Sequence, residues 1–292
     1  MFELNQVGAH TYYIESPAKI GLYRLPDGSV CLIDSGNDKD AGRKVRQILD
    51  KNGWPLRAIC HTHSNADHIG GSRYLQLKTG CRVFAGGIEA DFTRHPLLET
   101  SFLYGGFPPG ELRHKFLMAQ ESDVTDFSDP AFPRELTVLP LPGHFFDMVG
   151  FRTPDDVVFL ADCLSSRETL DKYGVPFIYD VEAYLATLAE VENMSAALFV
   201  PSHASAAEDI RPLARYNRDR VLEIGEVLQR ICREAQDTDA VIRQVFETWG
   251  LAMSMEQYVL VGSTVRSFLS WLHGQGRMSL VIEGSRLLWQ TQ

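Results

Sequence analysis

The sequence lacks the features of a membrane protein and of a disulfide-stabilised protein. No apolar stretch approaches the roughly 20 residues that a membrane-spanning helix needs. The five cysteines are odd in number and scattered without a C-x-x-C pair, which indicates neither a disulfide framework nor a cysteine zinc site. Cys163 follows Asp162 and could approach a metal there, but a packing role is favoured because free cysteine is commonly buried.

Positive charge is also scarce. The chain has 28 Lys and Arg residues against 38 Asp and Glu residues, so its net charge is −10. Such acidity argues against electrostatic binding to nucleic acid or anionic lipid. The N-terminus has no basic start followed by an apolar run, which predicts a cytoplasmic location. We therefore expect a small-molecule substrate as the partner, and neither nucleic acid nor a membrane.

What the chain does contain is enough apolar sequence, 45% of 292 residues, for one large domain with or without a small appendage. Its first third alternates between strand and helix patterns, and this order predicts a mixed sheet with helices outside it. The predicted strands there are 11–15, 20–24, 30–34, 56–60 and 81–85, and the predicted helices are 41–52 and 71–78. Later strands are predicted at 135–139, 148–152, 157–160 and 197–200, with a helix at 181–194.

The segment of about residues 90–129 differs from its surroundings, because prolines and glycines interrupt short helical patterns that carry several aromatic residues. A segment of this length is either a lid over a site or a helical insertion that packs its aromatics inward, and the sequence favours neither. If it is a lid, four side chains are candidates for a substrate wall: Phe102, Tyr104, Phe107 and His114.

The C-terminal region, residues 207–292, reads as amphipathic helices at 210–235, 238–248 and 255–272, followed by a hairpin at 279–289. Helices followed by a hairpin resemble a winged-helix module. Residues 237–292 carry four arginines against five acidic residues, which is a poor electrostatic footprint for duplex DNA. Structural capping or homodimerisation is the expected role.

Four short stretches, each following a predicted strand, supply side chains of the kind that bind metals. Imidazoles and carboxylates from several strands can converge at one edge of a sheet, where they suit a two-metal centre that activates water. The candidate ligands are His63, Asn65, Asp67 and His68 in the first stretch, then His144, Asp162 and His203.

The order and spacing of these motifs closely resemble the metallo-β-lactamase superfamily. The resemblance rests on His63-x-Asn65-x-Asp67-His68, on the following Gly70-Gly71, and on the later ligands. It extends over about residues 1–205 and includes the early Leu32–Gly36 stretch, which matches the family's strand signature. It implies an α+β fold, a four-layer αββα sandwich over residues 1–206, with a mostly helical, winged-helix-like domain at 207–292.

The resemblance also implies roles for individual residues. The first metal would be held by His63, Asn65 and His144. The second would be held by Asp67, His68 and His203, with Asp162 bridging the two metals. Asp34 matches an aspartate that supports the metal loops from behind, and Asp67 would also orient the nucleophile. This chain departs from the family at Asn65, where a histidine is expected, so the first site should bind its metal more weakly.

A rival register uses His61-x-His63 as the histidine pair, since both would lie on the same face of a strand. The offset to Asp67-His68 favours the Asn65 register. His61 is then expected to be an outer hydrogen-bonding partner of a ligand, which metal-bound histidines commonly need.

Two functions from different classes follow. The leading hypothesis is a metal-dependent hydrolase that uses a metal-activated water on a small ester, thioester, lactone or phosphodiester. It would carry one or two divalent metal ions, zinc foremost, with iron or manganese as alternatives. The second hypothesis is a catalytically weak metal-binding or sensor protein on the same scaffold, in which Asn65 marks the loss of one metal.

Overall fold

The structure, a computed structural model, describes residues 2–292 and divides into two compact units. The first comprises the chain up to Leu141 together with Phe146–Leu164 and Met194–Ile210, and the second comprises Pro142–Phe145, Ser165–Asn193 and Arg211–Gln292. The expected division into two domains at residue 206, with an insertion at 90–129 in the first, stays a prediction.

The strands follow the predicted pattern, with bounds that mostly shift by one or two residues. Short strands at the N-terminus, near the end of the insertion and before the last helices carried too little alternation to be predicted. The strands are β1 (Glu3–Gln6), β2 (Thr11–Glu15), β3 (Ile20–Arg24), β4 (Val30–Ile33), β5 (Leu56–Cys60), β6 (Arg82–Phe84), β7 (Val124–Thr125), β8 (Thr137–Pro140), β9 (Val149–Arg152), β10 (Val157–Ser165), β11 (Leu198–His203), β12 (Gln236–Asp237), β13 (Met278–Glu283) and β14 (Arg286–Thr291).

The helices likewise match the expected periodicity, with two short additions, α2 and α6. They are α1 (Lys39–Asn52), α2 (Ala66–Ile69), α3 (Ser72–Thr79), α4 (Gly87–Arg94), α5 (Leu97–Tyr104), α6 (Arg167–Tyr173), α7 (Val181–Asn193), α8 (Arg211–Ile231), α9 (Thr238–Trp249) and α10 (Met255–Gly274). Among the described residues, no helix is both long and apolar enough to cross a membrane.

Helix α1 begins two residues before its apolar pattern because of its cap. Asp38 accepts hydrogen bonds from the backbone N–H groups of Asp40 and Ala41, which satisfies donors that the first turn leaves without partners. The helix ends at Gly53, whose φ of 66° is the left-handed conformation that glycine adopts readily.

The first unit is built on two sheets. Strands β1 to β7 form one sheet in chain order, antiparallel from β1 to β4 and parallel from β4 to β7, so the expected mixed sheet is confirmed. Strands β11, β10, β9 and β8 form the second sheet in that order. Parallel neighbours β4, β5 and β6 bring their carboxyl ends to one edge, which is where the predicted ligand loop leaves β5.

Both faces of the seven-stranded sheet are buried. One face packs on the second sheet through Ile33, Phe151 and Phe159. A Cβ atom at Gly21 would lie 2.7 Å from the Phe159 ring, so glycine there lets the two sheets approach closely. The opposite face carries Val45 of α1 and other apolar residues of α1 and α3, which forms one helical layer.

The 90–129 segment packs some of its apolar side chains inward and exposes others. Helices α4 and α5 and a short 3₁₀ turn, Gly110–Leu112, bury Phe92, Leu103 and Leu112. Phe107 and Phe116 instead remain 72% and 63% exposed. Part of the segment therefore packs as a subdomain, and its aromatic tips reach solvent.

The second unit contains α6 to α10 and a three-stranded sheet in the order β12, β14, β13. The predicted hairpin is present, with β13 pairing antiparallel to β14 from Glu283–Arg286 to Met278–Thr291. Helices α9 and α10 bury Val245, Phe268 and Leu272.

Candidate metal centre

The ligand-bearing loop is fixed on the loop that follows β4. Ser35 donates from its backbone N–H and from its hydroxyl to the carbonyl of His68, at 2.7 and 3.0 Å. A Cβ atom at Gly70 or Gly71 would lie 2.4 or 2.3 Å from the backbone of that neighbouring loop. Only glycine fits such a close approach, which accounts for the Gly-Gly pair after His68.

Asp34 makes hydrogen bonds to the loop that carries the predicted ligands. Its carboxylate accepts hydrogen bonds from the Thr62 backbone N–H at 2.8 Å, the Thr62 hydroxyl at 2.7 Å and His68 Nδ1 at 2.9 Å. The residue has a φ of 63°, a left-handed conformation that is costly outside glycine and that these hydrogen bonds stabilise. Burial would raise the pKa of this carboxyl, but the adjacent His68 lowers it, so Asp34 stays ionised.

The hydrogen bonds also fix the histidine tautomers. His68 Nδ1 lies 2.9 Å from the Asp34 carboxylate, and His203 Nδ1 lies 3.0 Å from the Pro17 carbonyl. Both oxygens can only accept a hydrogen bond, so each Nδ1 atom carries a proton. The Thr62 hydroxyl donates its proton to Asp34, so it accepts from His63 Nδ1 at 2.9 Å. In neutral imidazoles held this way the Nε2 atom carries the lone pair, which is the state that a metal ligand requires.

Asp67, His68, Asp162 and His203 converge in the first unit, with one ligand atom of each within 4.8 Å of all the others. His68 Nε2 lies 3.1 Å from Asp162 Oδ1, and His203 Nε2 lies 3.1 Å from Asp162 Oδ2 and 3.3 Å from Asp67 Oδ2. The side chains of His68 and Asp162 are 0% and 10% exposed, whereas those of His203 and Asp67 are 29% and 40% exposed. The cluster is therefore deep at one end and open to solvent at the other.

The charges of this cluster suit a divalent cation. Burial would lower the pKa of His203, but Asp162 and Asp67 raise it to about 10. Burial would raise the pKa of Asp67, but His68 and His203 lower it to about 2. His68 Nε2 is buried and faces the Asp162 carboxylate. Two carboxylates and imidazole nitrogens are a donor set that zinc, iron and manganese all accept, so the residues fit a metal ion.

The motif predicted that Asp162 follows the end of its strand, but Asp162 lies within strand β10. Strand β10 continues to Ser165, so the carboxylate projects from inside the strand. The preceding Ala161 has a φ of 50°, a local bend that the alternation of apolar residues could not indicate.

His63 and Asn65 lie beside this cluster. The ring of His63 packs on that of His68 with centroids 4.1 Å apart. Asn65 donates from Nδ2 to Oε1 of Glu99 at 2.7 Å. His144 belongs to the second unit, where its Nδ1 donates to the Phe177 carbonyl at 3.0 Å. The assignment of these three residues to a first metal stays a prediction.

Sequence reasoning missed two buried acids, Glu89 on α4 just before the insertion and Glu99 on α5 within it. Glu89 accepts from the Ser64 backbone N–H at 2.9 Å, the Ser64 hydroxyl at 2.5 Å and the Asp147 backbone N–H at 2.9 Å. Both side chains are nearly inaccessible, at 2% and 4% exposure, and burial raises the pKa of each. The sequence signal was limited to acids within short helical patterns, Glu89 beside Asp91 in α4 and Glu99 in α5.

His61 lies behind the loop and outside the cluster. Its Nε2 is 2.9 Å from the Ser72 hydroxyl, and its Nδ1 is 3.7 Å from Asp34 Oδ1, too far for a hydrogen bond. The outer role of His61 and the choice between the two registers stay predictions. Cys163 is fully buried and is not part of the cluster, as a packing role requires.

The predicted substrate wall divides into separate parts. Phe102 packs on Phe146 with ring centroids 5.2 Å apart. The Arg113 guanidinium lies 5.2 Å from the centroid of the Phe107 ring, and Tyr104 is 45% exposed. His114 Nδ1 accepts from the backbone N–H of the residue two positions on, at 3.3 Å. Their contact with substrate stays a prediction.

Comparison with known proteins points to one family. The model of the metallo-beta-lactamase superfamily matches residues 14–203. Hydroxyacylglutathione hydrolase of Bradyrhizobium sp. (strain ORS 278) is 41% identical over 147 residues, 49% of this chain and 48% of that protein. The linear primary-alkylsulfatase of Pseudomonas sp. (strain ATCC 19151) is 24% identical over 87% of this chain and 56% of its own. In both, the chain spans about half the length of the curated relative.

Solved structures agree on the fold. A beta-lactamase domain protein from Burkholderia ambifaria superposes with a TM-score of 0.75 at 16% identity, covering 99% of this chain and 94% of its own. A metallo-beta-lactamase family protein from Thermus thermophilus gives 0.72 at 17% identity, covering 100% and 98%. The predicted α+β fold class, with its C-terminal helical region, is confirmed. Because the family model matches well over half of the 292 residues, the chain belongs to the metallo-beta-lactamase superfamily.

Proposed function

We propose that this protein is a metal-dependent hydrolase of small ester or thioester substrates. The observation that carries the proposal is the convergence of Asp67, His68, Asp162 and His203, with the Nδ1 atoms of both histidines held by hydrogen-bond acceptors. A structural cluster would be buried throughout, whereas this one has an open side at Asp67, which is 40% exposed.

When bound, divalent ions in such a centre supply a Lewis acid and lower the pKa of water. The protein's own contribution is to hold the donors and to place substrate and water. Asp162 would bridge the two metals, and Asp67, His68 and His203 would hold the second. Asp67, at the open side, would also accept a hydrogen bond from the attacking water through its carboxylate and so orient it.

The first metal would be held by His63, Asn65 and His144. Asn65 stands where the family motif has a histidine, and an amide oxygen is a weaker zinc ligand than an imidazole. We therefore expect an asymmetric centre with one tight metal and one weaker metal, zinc foremost, with iron or manganese as alternatives.

A thioester is the favoured substrate class. Several relatives carry the name hydroxyacylglutathione hydrolase, including one from Cereibacter sphaeroides that is 27% identical over 63% of this chain and 62% of its own. The exposed aromatics of the 90–129 segment, Phe107 and Tyr104 among them, would border a small substrate. The net charge of −10 supports a small molecule as partner over nucleic acid. The cytoplasmic location stays a prediction.

The second candidate is a catalytically weak metal-binding or sensor protein. It is favoured by Asn65, which weakens one metal, and by the C-terminal helices and hairpin, which would form a winged-helix-like module for homodimerisation.

The deciding experiment combines metal content with turnover. Protein stripped with a chelator and reloaded with zinc or manganese should hold at least one metal per chain by elemental analysis. A panel of S-acyl thioesters, carboxylic esters, lactones and phosphodiesters then tests activity. Absence of metal retention would contradict the hydrolase proposal, and metal retention with no turnover across the panel would favour the sensor.

A further inference from the structure

The structure assigns Glu99 as the positioning residue of Asn65. Its carboxyl group orients the Asn65 amide so that this asparagine can act as a metal ligand. The inference rests on the proposed function, because it concerns the weaker of the two metals. Its basis is the hydrogen bond from Asn65 Nδ2 to Glu99 Oε1 at 2.7 Å.

An asparagine amide can present either its oxygen or its nitrogen, and only the oxygen binds a cation. Once Nδ2 is held by the Glu99 carboxyl, Oδ1 is the amide's remaining donor to a metal. Glu99 thus selects the amide orientation that ligation needs. Without it the side chain could rotate its NH₂ group toward the cation.

Glu99 is built to do this. It is only 4% exposed although it is an acidic side chain in an apolar helix of the insertion, where a polar group with no specific partner would be costly. Asn65 is the side chain that the structure shows donating to it. Metal-bound histidines commonly donate their second nitrogen to a carboxylate, and Glu99 would serve Asn65 in the same way.

The neighbouring buried acid, Glu89, shows that this contact is specific. Glu89 bonds the backbone and hydroxyl of Ser64 and the backbone of Asp147, so it fixes the loop and does not contact a predicted ligand side chain in those bonds. Glu99 instead contacts the one predicted ligand that departs from the family pattern. An oxygen ligand also shifts the preference of the first site toward harder cations such as Mn²⁺.

The test measures metal binding directly. Metal-stripped protein is titrated with Mn²⁺, and separately with Zn²⁺, by isothermal titration calorimetry. The natural chain should show one tight and one weaker metal-binding event. Glu99→Leu should weaken the second event about 10- to 100-fold and leave the tight one within about threefold. Glu99→Gln keeps the volume and can still accept the hydrogen bond, so its loss should be smaller than that of Glu99→Leu.

A double-mutant cycle separates this role from a general packing role. Asn65→Ala should weaken the same event, and Glu99→Leu in the Asn65→Ala background should add no further loss, because Glu99 acts through Asn65. Asn65→His should bind a second Zn²⁺ tightly, and adding Glu99→Leu should weaken that Zn²⁺ again. Circular dichroism verifies that each variant is folded.

Three results would overturn the inference while leaving the hydrolase proposal intact. They are unchanged weaker binding in Glu99→Leu, a further loss when that change is added to Asn65→Ala, and a natural chain that holds a single metal under excess Mn²⁺ and Zn²⁺. A natural chain that binds neither metal would instead overturn the proposed function.

Discussion

Glu89 should contribute less to the protein's stability as the pH rises from 5 to 8. The side chain is 2% exposed, and burial raises its pKa to about 7, although the hydrogen bonds from Ser64 lower it. The charges that face it are those of Asp147, which raises its pKa, and of Glu99 nearby. In the unfolded chain the same carboxyl titrates near its ordinary value of 4.5.

The sign follows from which state loses its proton first. Between the two pKa values the unfolded chain is ionised while the folded protein keeps the proton, so each increase in pH favours unfolding. The stabilisation is complete below about pH 4.5 and has been lost above about pH 7. A shift of about 2.5 units corresponds to about 3.4 kcal/mol in full, of which about 2.5 kcal/mol falls between pH 5 and pH 8.

The perturbation is Glu89→Gln, which keeps the size and removes the titration. Glutamine loses one backbone hydrogen bond, from either Ser64 or Asp147, so the variant is less stable by a nearly pH-independent amount of about 1 kcal/mol. Urea unfolding at pH 5, 6, 7 and 8, with EDTA so that metal binding adds nothing, gives the free energies of unfolding. Relative to the variant, the natural protein should lose about 2.5 kcal/mol across this range.

Glu121→Gln is the matched control, since Glu121 is an exposed acid. Its difference from the natural protein should stay flat with pH. A flat difference for Glu89→Gln as well, within about 0.5 kcal/mol, would refute the reasoning, because the buried carboxyl would then be titrating at its ordinary pKa.

Three further predictions concern the metal centre and its support. Asp34→Asn should weaken the tight metal about 10- to 100-fold by calorimetric titration, because it removes the charge that holds the ligand histidine and its loop, and unchanged affinity would exclude that role. His203→Ala should abolish the tight metal by elemental analysis while His61→Ala retains it, and the reverse pattern would restore the rival register. Gly70→Ala should lower the free energy of unfolding by about 2 kcal/mol or more, since its Cβ would lie 2.4 Å from backbone atoms. Gly274→Ala, which meets no atom within 4 Å, should leave the free energy of unfolding within about 0.5 kcal/mol, and equal losses would remove the packing argument.

The sheet scaffold was predictable because its signal is local. Alternation of apolar residues gave β2, β3 and β5 with the bounds that the structure has. The C-terminal hairpin was predicted from its Glu283-Gly284-Ser285 turn, and Gly284 and Ser285 adopt the positive φ values that such a turn needs. Each of these features depends on residues close together in the chain.

The C-terminal end of strand β10 could not be predicted from local sequence. Its predicted end at Leu160 followed the apolar run, but the strand continues to Ser165 through Ala161 at a φ of 50°. The polar Asp162 interrupts the apolar pattern because it faces the metal cluster and not the core. A functional residue within a strand thus looked like the end of that strand.

By itself the sequence determined the family, the mixed sheet and the residue types of a metal centre, since motif order and alternation are properties of the chain. The tertiary structure alone decided how those side chains are held. Asp34 fixes the tautomer of His68, and Glu99 orients Asn65, through contacts between residues 34 positions apart in each case. Such hydrogen bonds leave no pattern in the sequence, because either partner alone is an ordinary polar residue, and only folding brings the two into one buried site where each needs the other.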